Sequence, residues 1–96
     1  MKQYFVYILA SHRNGTLYVG STSNLIQRIW QHKNNVFSGF TAKYRVHQLV
    51  YYEELQNIIE MVQRERRLKN WRRQWKINLI EKINPNWKDL FEEISA

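Results

Sequence analysis

Seven consecutive residues near the N-terminus, Tyr4 to Ala10 (Tyr-Phe-Val-Tyr-Ile-Leu-Ala), are apolar or aromatic. A run this short and this rich in aromatic and β-branched side chains predicts a strand. Asn14-Gly15 follows, a hairpin signal because both central residues of the favoured tight turn take positive φ. Thr16 to Gly20 is then the returning strand. With Asn14 and Gly15 as a two-residue loop, Arg13 pairs with Thr16 and Ser11 with Tyr18. Side chains alternate along a strand, so Tyr7, Leu9, Ser11 and Tyr18 share one face, and any even change in loop length keeps Tyr7 and Tyr18 together there.

Downstream the pattern turns helical. Ser21-Thr22-Ser23-Asn24 is a cluster of N-cap residues, and Asn24 with Gln27 resembles a capping box. The helix it opens runs from Leu25 to about Lys33, with Leu25 and Ile29 on one line and Arg28 and His32 on another. Asn34 to Lys43 reads as a loop, and Gln48 to Glu53 as a third strand around Leu49-Val50-Tyr51-Tyr52. Asn57 caps a second helix reaching about Lys69, with Asn70 ending it in a left-handed conformation. A third helix, Trp71 to Ile83, carries Trp71, Trp75, Leu79 and Ile83 at intervals of four before Pro85 breaks it. A short helix around Trp87 to Ile94 closes the chain. This order gives an α+β fold: a small three-stranded antiparallel sheet, made of the N-terminal β-hairpin plus one strand, flanked by three to four helices in a single domain over residues 1–96.

Composition narrows the chemistry. The 96 residues suit one modest core. Without cysteine there is no disulfide, thiolate zinc site or cysteine nucleophile. The Tyr4–Ala10 run is far short of the roughly 20 apolar residues that span a bilayer. Asn14 and Gly15 stand where a signal peptide would carry small residues for cleavage, so the expectation is a cytoplasmic protein with no membrane association. Fifteen Lys and Arg against eight Asp and Glu give +7, which favours a polyanionic partner, most often nucleic acid. The charge is concentrated: Arg64, Arg66, Arg67, Lys69, Arg72, Arg73 and Lys76 fall in one block whose single acid is Glu65.

Glu65 is the odd residue of the second helix, because it lies within the apolar stripe of Ile58, Met61, Val62 and Leu68. A carboxylate aimed at a core needs a pairing cation or a metal. Its position fits a side chain leaning into solvent, a partner for an arginine, or a metal ligand at a helix edge that opens onto a cleft. Arg28 and His32, four residues apart, project from one side of the first helix, either as a basic surface edge or as an electrophile beside a proton carrier. Tyr7 and Tyr18 are explained by strand propensity alone, and Trp71 and Trp75 by core packing. Together, however, one Glu, one Arg, one His and two phenols meet the needs of phosphodiester hydrolysis. They offer an activated water, a charge-stabilising group and a single carboxylate for an ion that keeps its waters.

The order of these residues resembles the GIY-YIG nuclease superfamily. Phe5-Val6-Tyr7 stands where Gly-Ile-Tyr is expected, with Phe5 and Val6 departing from the motif, and Tyr18-Val19-Gly20 matches Tyr-Ile-Gly. The segment from Gly20 to His32 resembles the family's glycine-to-helix stretch with its Arg and His, and Glu65 ahead of Leu68 and Lys69 resembles its metal-binding Glu. Gly39-Phe40-Thr41-Ala42-Lys43-Tyr44 and the tail from Trp71 to Trp87 look like the short stand-alone bacterial members of the UPF0213 kind. The resemblance implies that Tyr18 orients or deprotonates the attacking water and that Tyr7 supports the water and phosphate network. Arg28 would stabilise the pentacovalent phosphate, His32 would assist proton transfer or contact phosphate, and Glu65 would ligate one Mg2+ or Mn2+. Lys43, Lys69, Arg72 and Arg73 are the expected nucleic-acid contacts.

The expected function is therefore a metal-dependent DNA endonuclease of repair or recombination. It would act as a monomer or weak dimer, with a protein partner for targeting. Two other classes fit the charge and the tryptophans: a non-catalytic nucleic-acid-binding module, and a protein–protein adaptor using the third helix.

Overall fold

The fold is built around a central strand that is covered on both faces. In the computed structural model, which describes residues 2–36 and 39–96, β1 (Tyr4–Ala10) lies between β2 (Leu17–Thr22) and β3 (Gln48–Leu55), antiparallel to each. Phe5 through Ala10 are all buried. Val6, Ile8 and Ala10 meet Leu68, Ile80 and Trp87 on one face, whereas Phe5, Tyr7 and Leu9 meet Leu25, Ile29, Val46 and Leu49 on the other. An apolar strand without polar alternation is what burial on both faces requires.

Among the described residues five helices surround the sheet: α1 (Leu25–Lys33), α2 (Phe40–Lys43), α3 (Ile58–Asn70), α4 (Arg73–Ile83) and α5 (Phe91–Ser95). The α+β class and the three-stranded sheet are as expected, with one helix more than the expected upper number. The addition is α2, a single turn inside the segment read as a loop; Phe37 and Ser38 of that segment fall outside the described residues. Four residues are too few to register in a hydrophobic period. The N-caps of α1 and α3 are those read from sequence. Asn24 accepts from the Gln27 amide (3.2 Å) and Asn57 from the Glu60 amide (2.9 Å), while Glu60 accepts from the Gln56 amide (3.1 Å).

Several local expectations are corrected. The hairpin has no two-residue turn: Ala10 pairs with Leu17, and the Ser11 amide donates to the Thr16 carbonyl (3.0 Å), leaving His12–Gly15 as a four-residue loop. Asn14 takes the positive φ (59°), but Gly15 does not. A Cβ on Gly15 would sit 2.3 Å from Ser11 Oγ and 2.8 Å from the His12 ring, so those two side chains would have to shift to admit one. Asn70 does not adopt the left-handed conformation; it is the last residue of α3, and extended Trp71 follows it as the cap. On α3, Ile58 and Val62 are exposed while Met61 and Leu68 face the core. On α4 the buried residue is Ile80, with Ile77 and Leu79 beside it, whereas Trp75 and Ile83 are exposed. Apolar residues occupy several sides of both helices, so periodicity alone did not fix their rotation.

A bulge in β3 locks the far side of the sheet. Ile8 pairs with Tyr51 and Leu9 with Leu49, so Val50 is the extra residue. Its carbonyl accepts from the Asn84 amide (3.1 Å), and the same Nδ2 donates to the Lys88 carbonyl (2.8 Å) while Asn84 Oδ1 accepts from the Lys88 amide (3.0 Å). Asn84 is buried. Replacing it with Ala strands two carbonyls and an amide, and Asn84→Ala is expected to lower unfolding free energy by about 2–4 kcal/mol. Urea denaturation followed by tryptophan fluorescence measures this; a loss within about 0.5 kcal/mol, the range of an ordinary surface change, contradicts it.

Candidate active site

The even difference between the expected and observed hairpin loops preserves the face that matters. Tyr18 pairs with Leu9 and Gly20 with Tyr7, so both phenols rise from the α1 side of the sheet with ring centroids 6.4 Å apart. Tyr7 lies directly over Gly20. A Cβ at Gly20 would come within 2.5 Å of the Tyr7 phenol and 3.0 Å of the Tyr18 ring, so the glycine is a packing requirement of the tyrosine pair.

Helix α1 brings His32 onto the phenols. Tyr7 Oη and His32 Nε2 are 2.9 Å apart, and the imidazole ring lies 5.5 Å from the Tyr18 ring. The other imidazole nitrogen, Nδ1, is 3.2 Å from the Thr41 hydroxyl of α2. Thr41 is buried, and it was not among the residues singled out from sequence. The chain Tyr7–His32–Thr41 accounts for both ring nitrogens, whichever tautomer is present.

Burial sets the protonation states of this group. Tyr7 has no exposed surface. Burial first, and then the neighbouring Tyr18, push its phenol well above the ordinary value; Arg28, by charge and hydrogen bond, pulls the other way, and Glu65 adds a further push upward. His32, 4 % exposed, is lowered to about 4 by burial, then by the charges of Arg28 and His47. At neutral pH Tyr7 is therefore a phenol and His32 a neutral imidazole.

Glu65 arrives from the opposite face. Helix α3 packs against β1 and β2, and Glu65, between inward-facing Met61 and Leu68, reaches the edge strand, where Ser21 Oγ donates to Oε1. Lys69 Nζ contacts the other carboxylate oxygen at 2.7 Å. Burial alone would raise the Glu65 carboxyl, but hydrogen bonds from Lys69 and Ser21 and the charges of Lys69 and Arg28 outweigh it and lower it. Arg28 thus acts electrostatically on Glu65 and Tyr7 alike, and the five expected residues meet around the edge strand β2. They form two tiers. Tyr7 and His32 are buried, whereas Tyr18, Arg28 and Glu65 retain solvent contact, the Glu65 side chain at 22 %. Sequence reasoning missed Ser21 and Thr41 as supports, because nothing in their local context marks a hydroxyl 44 or 9 residues from its partner.

A family model described as the GIY-YIG catalytic domain matches residues 3–78, the span that contains every residue of this arrangement. The chain belongs to the GIY-YIG family. It is 34 % identical over 80 residues to a UPF0213 protein of Staphylococcus saprophyticus, covering 83 % of this chain and 96 % of that one. A UPF0213 protein of Staphylococcus haemolyticus is 35 % identical over 81 residues, covering 84 % and 98 %. Among solved structures, the solution NMR structure of a UPF0213 protein from Bacillus halodurans aligns with a TM-score of 0.56 and 25 % identity, covering 93 % of each chain. At the level of the superfamily this is a nuclease-type catalytic domain, in the short GIY-YIG form.

The expected nucleic-acid contacts are dispersed. Lys43 lies at the end of α2 with its ammonium 5.4 Å from the Tyr44 ring. Lys69 pairs with Glu65, and Arg72 lies over Trp75 at 5.5 Å. Arg73 donates to the Asn14 and Gly15 carbonyls (2.6 and 2.7 Å), tying α4 to the hairpin loop. Elsewhere in the basic block Arg64 pairs with Glu53 (2.5 Å) and lies 5.2 Å from the Trp71 ring.

Two outcomes follow from this geometry. In Gly20→Ala the new methyl group displaces the Tyr7 ring, and over-packing of this kind should cost about 1–3 kcal/mol in urea unfolding. A variant as stable as the parent, with unchanged tyrosine signals, contradicts the packing role. For His32, the unfolded chain takes up a proton near 6.5 that the fold refuses until about 4, so acidification across that window should lower stability. The depressed Glu65 carboxyl adds to the same acid loss as pH falls through its range. His32→Gln should flatten the upper part of this dependence, and an identical slope in the two proteins overturns the assignment.

Proposed function

We propose that this chain is a divalent-metal-dependent endonuclease, one domain over residues 1–96, that hydrolyses phosphodiester bonds in DNA. The observation that carries the reading is the convergence of Tyr18, Arg28 and Glu65 at the edge of the sheet, backed by the buried Tyr7–His32 pair. A basic chain with a nuclease-family domain has DNA as its natural substrate, and repair or recombination is the setting such an activity fits. The cytoplasm and a targeting protein partner belong to the same proposal.

The donor set suits one hard ion. Among the described residues no group of three or more His, Asp or Glu is arranged to hold a metal, and Glu65 is the carboxylate that reaches the edge strand beside Ser21. Mg2+ or Mn2+ accepts such a site when water and substrate phosphate complete the shell. The depressed pKa keeps Glu65 ionised, and Lys69, about half exposed, can swing into solvent to release the carboxylate oxygen it holds. The bound ion would supply Lewis-acid charge stabilisation.

The remaining roles belong to the protein. Tyr18, partly exposed, orients or deprotonates the water. Arg28 neutralises charge building on the phosphate, where a preorganised cation is most effective. Tyr7 and His32 are too deeply buried to grip substrate; their role is to hold Tyr18 and Arg28 in place. Lys43, Lys69, Arg72 and Arg73 are the proposed phosphate contacts.

Glu65→Gln should reduce Mg2+- or Mn2+-dependent nicking by about a hundredfold or more, the scale of losing one charge-stabilising group. DNA affinity measured by anisotropy should change only a few-fold. Tyr18→Phe should also suppress cleavage, because it removes only the hydroxyl. A Glu65→Gln protein that cuts as fast as the parent ends the proposal. Salt-sensitive DNA binding by the parent, with no nicking on linear, nicked or branched DNA in either metal, favours a non-catalytic binding module instead.

A further inference from the structure

Tyr18 belongs to a row of aromatic rings that runs from buried His32 out to solvent. His32 and Tyr18 are 5.5 Å apart, Tyr18 and Phe40 6.2 Å with planes at 30°, and Phe40 and Tyr44 4.9 Å. Helix α2 divides its single turn between two tasks. Thr41 points inward and holds His32, whereas Phe40 and Tyr44, four residues apart and on one side of the turn, are each 47 % exposed. Phe40 and Tyr44 thus leave broad apolar surface in water directly beside Tyr18. The Lys43 ammonium, 5.4 Å from the Tyr44 ring, gives this surface a positive border.

We propose that Phe40 and Tyr44 are a stacking platform for an unpaired nucleobase adjacent to the scissile phosphate, and that the preferred DNA substrate therefore carries unpaired nucleotides at the cut. The inference rests on the nuclease reading above and specifies its substrate class. Flat exposed aromatics bordered by a cation are the chemistry that receives single-stranded nucleic acid, since every base has a π-face and every linkage a negative charge. Within a matched duplex each base is already stacked and paired. One can reach Phe40 only by leaving the helix, a step that is easiest for a mismatched or single-stranded base. A protein partner would meet the same rings, but the chain's +7 charge and the lysine at the rim favour a polyanion.

The test reads binding without turnover. The 96-residue chain in EDTA is titrated with a single-stranded oligonucleotide, a bulged duplex and a matched duplex of equal charge. Each carries a fluorescent adenine analogue at the unpaired or corresponding position. The expected result is quenching of the analogue with the single strand and the bulge only, and affinity about tenfold tighter than for the matched duplex. Phe40→Leu and Tyr44→Leu, which keep apolar volume but lose the flat ring, should abolish that advantage, and Phe40→Trp should retain it. Thermal melts confirm that each variant is folded. Equal affinity of the parent for all three DNAs, or an undiminished preference in the Leu variants, overturns the platform. Tighter binding to an RNA strand than to its DNA equivalent overturns the assignment of DNA. In a separate Mg2+ assay, cleavage of matched duplex by a parent that shows no stacking preference in EDTA would remove the platform and leave the nuclease reading standing.

Discussion

The structure is organised around a phenol that has been taken out of water. Tyr7 sits at the centre of the middle strand with no exposed surface, and a buried hydroxyl without a partner is costly, about 1–3 kcal/mol. His32 meets it at 2.9 Å, and Thr41 occupies the far side of the imidazole. That pair of contacts ties α1 and α2 to the sheet. Gly20 completes the arrangement by leaving the space the Tyr7 ring fills. Tyr18, which remains open to solvent, packs its ring against both Tyr7 and His32 of this buried group.

Electrostatics join this group to the other face. Glu65 projects from a helix that packs against the opposite side of the sheet, yet Ser21 receives it at the edge strand and Arg28 acts on it from α1. A site that straddles a sheet edge draws on both layers of the domain, so its geometry depends on the packing of Leu68 and Met61 as much as on its own side chains. The basic block around it is correspondingly divided. Arg64 and Arg73 stabilise the fold through Glu53 and the hairpin carbonyls, whereas Arg66 and Arg67 stay exposed. Net charge therefore overstates the surface available to a polyanion.

Much of the fold was legible from local chemistry. Leu25–Lys33 emerged with its predicted bounds because an N-cap cluster opens it and its apolar spacing is unambiguous. The Tyr4–Ala10 strand was equally clear. Of the candidate site, residue type and period flagged Tyr7, Tyr18, Arg28, His32 and Glu65 only singly, and the resemblance of their order to the GIY-YIG family joined them; the shared face of the two tyrosines holds for four loop residues as for two, because the parity is the same.

The sequence by itself determined which short-range patterns form: strands, caps, a common strand face and the presence of one inward carboxylate. Tertiary structure alone decided the rest. It set which line of α3 and α4 is buried, that Asn84 serves the β3 bulge, that Thr41 and Ser21 support His32 and Glu65, and that Tyr7 is sealed while Phe40 and Tyr44 stay exposed. The physical reason is range. Caps and periods are settled by neighbours within a turn or two of the chain, whereas burial and hydrogen-bond partnership depend on groups brought together only when the layers pack.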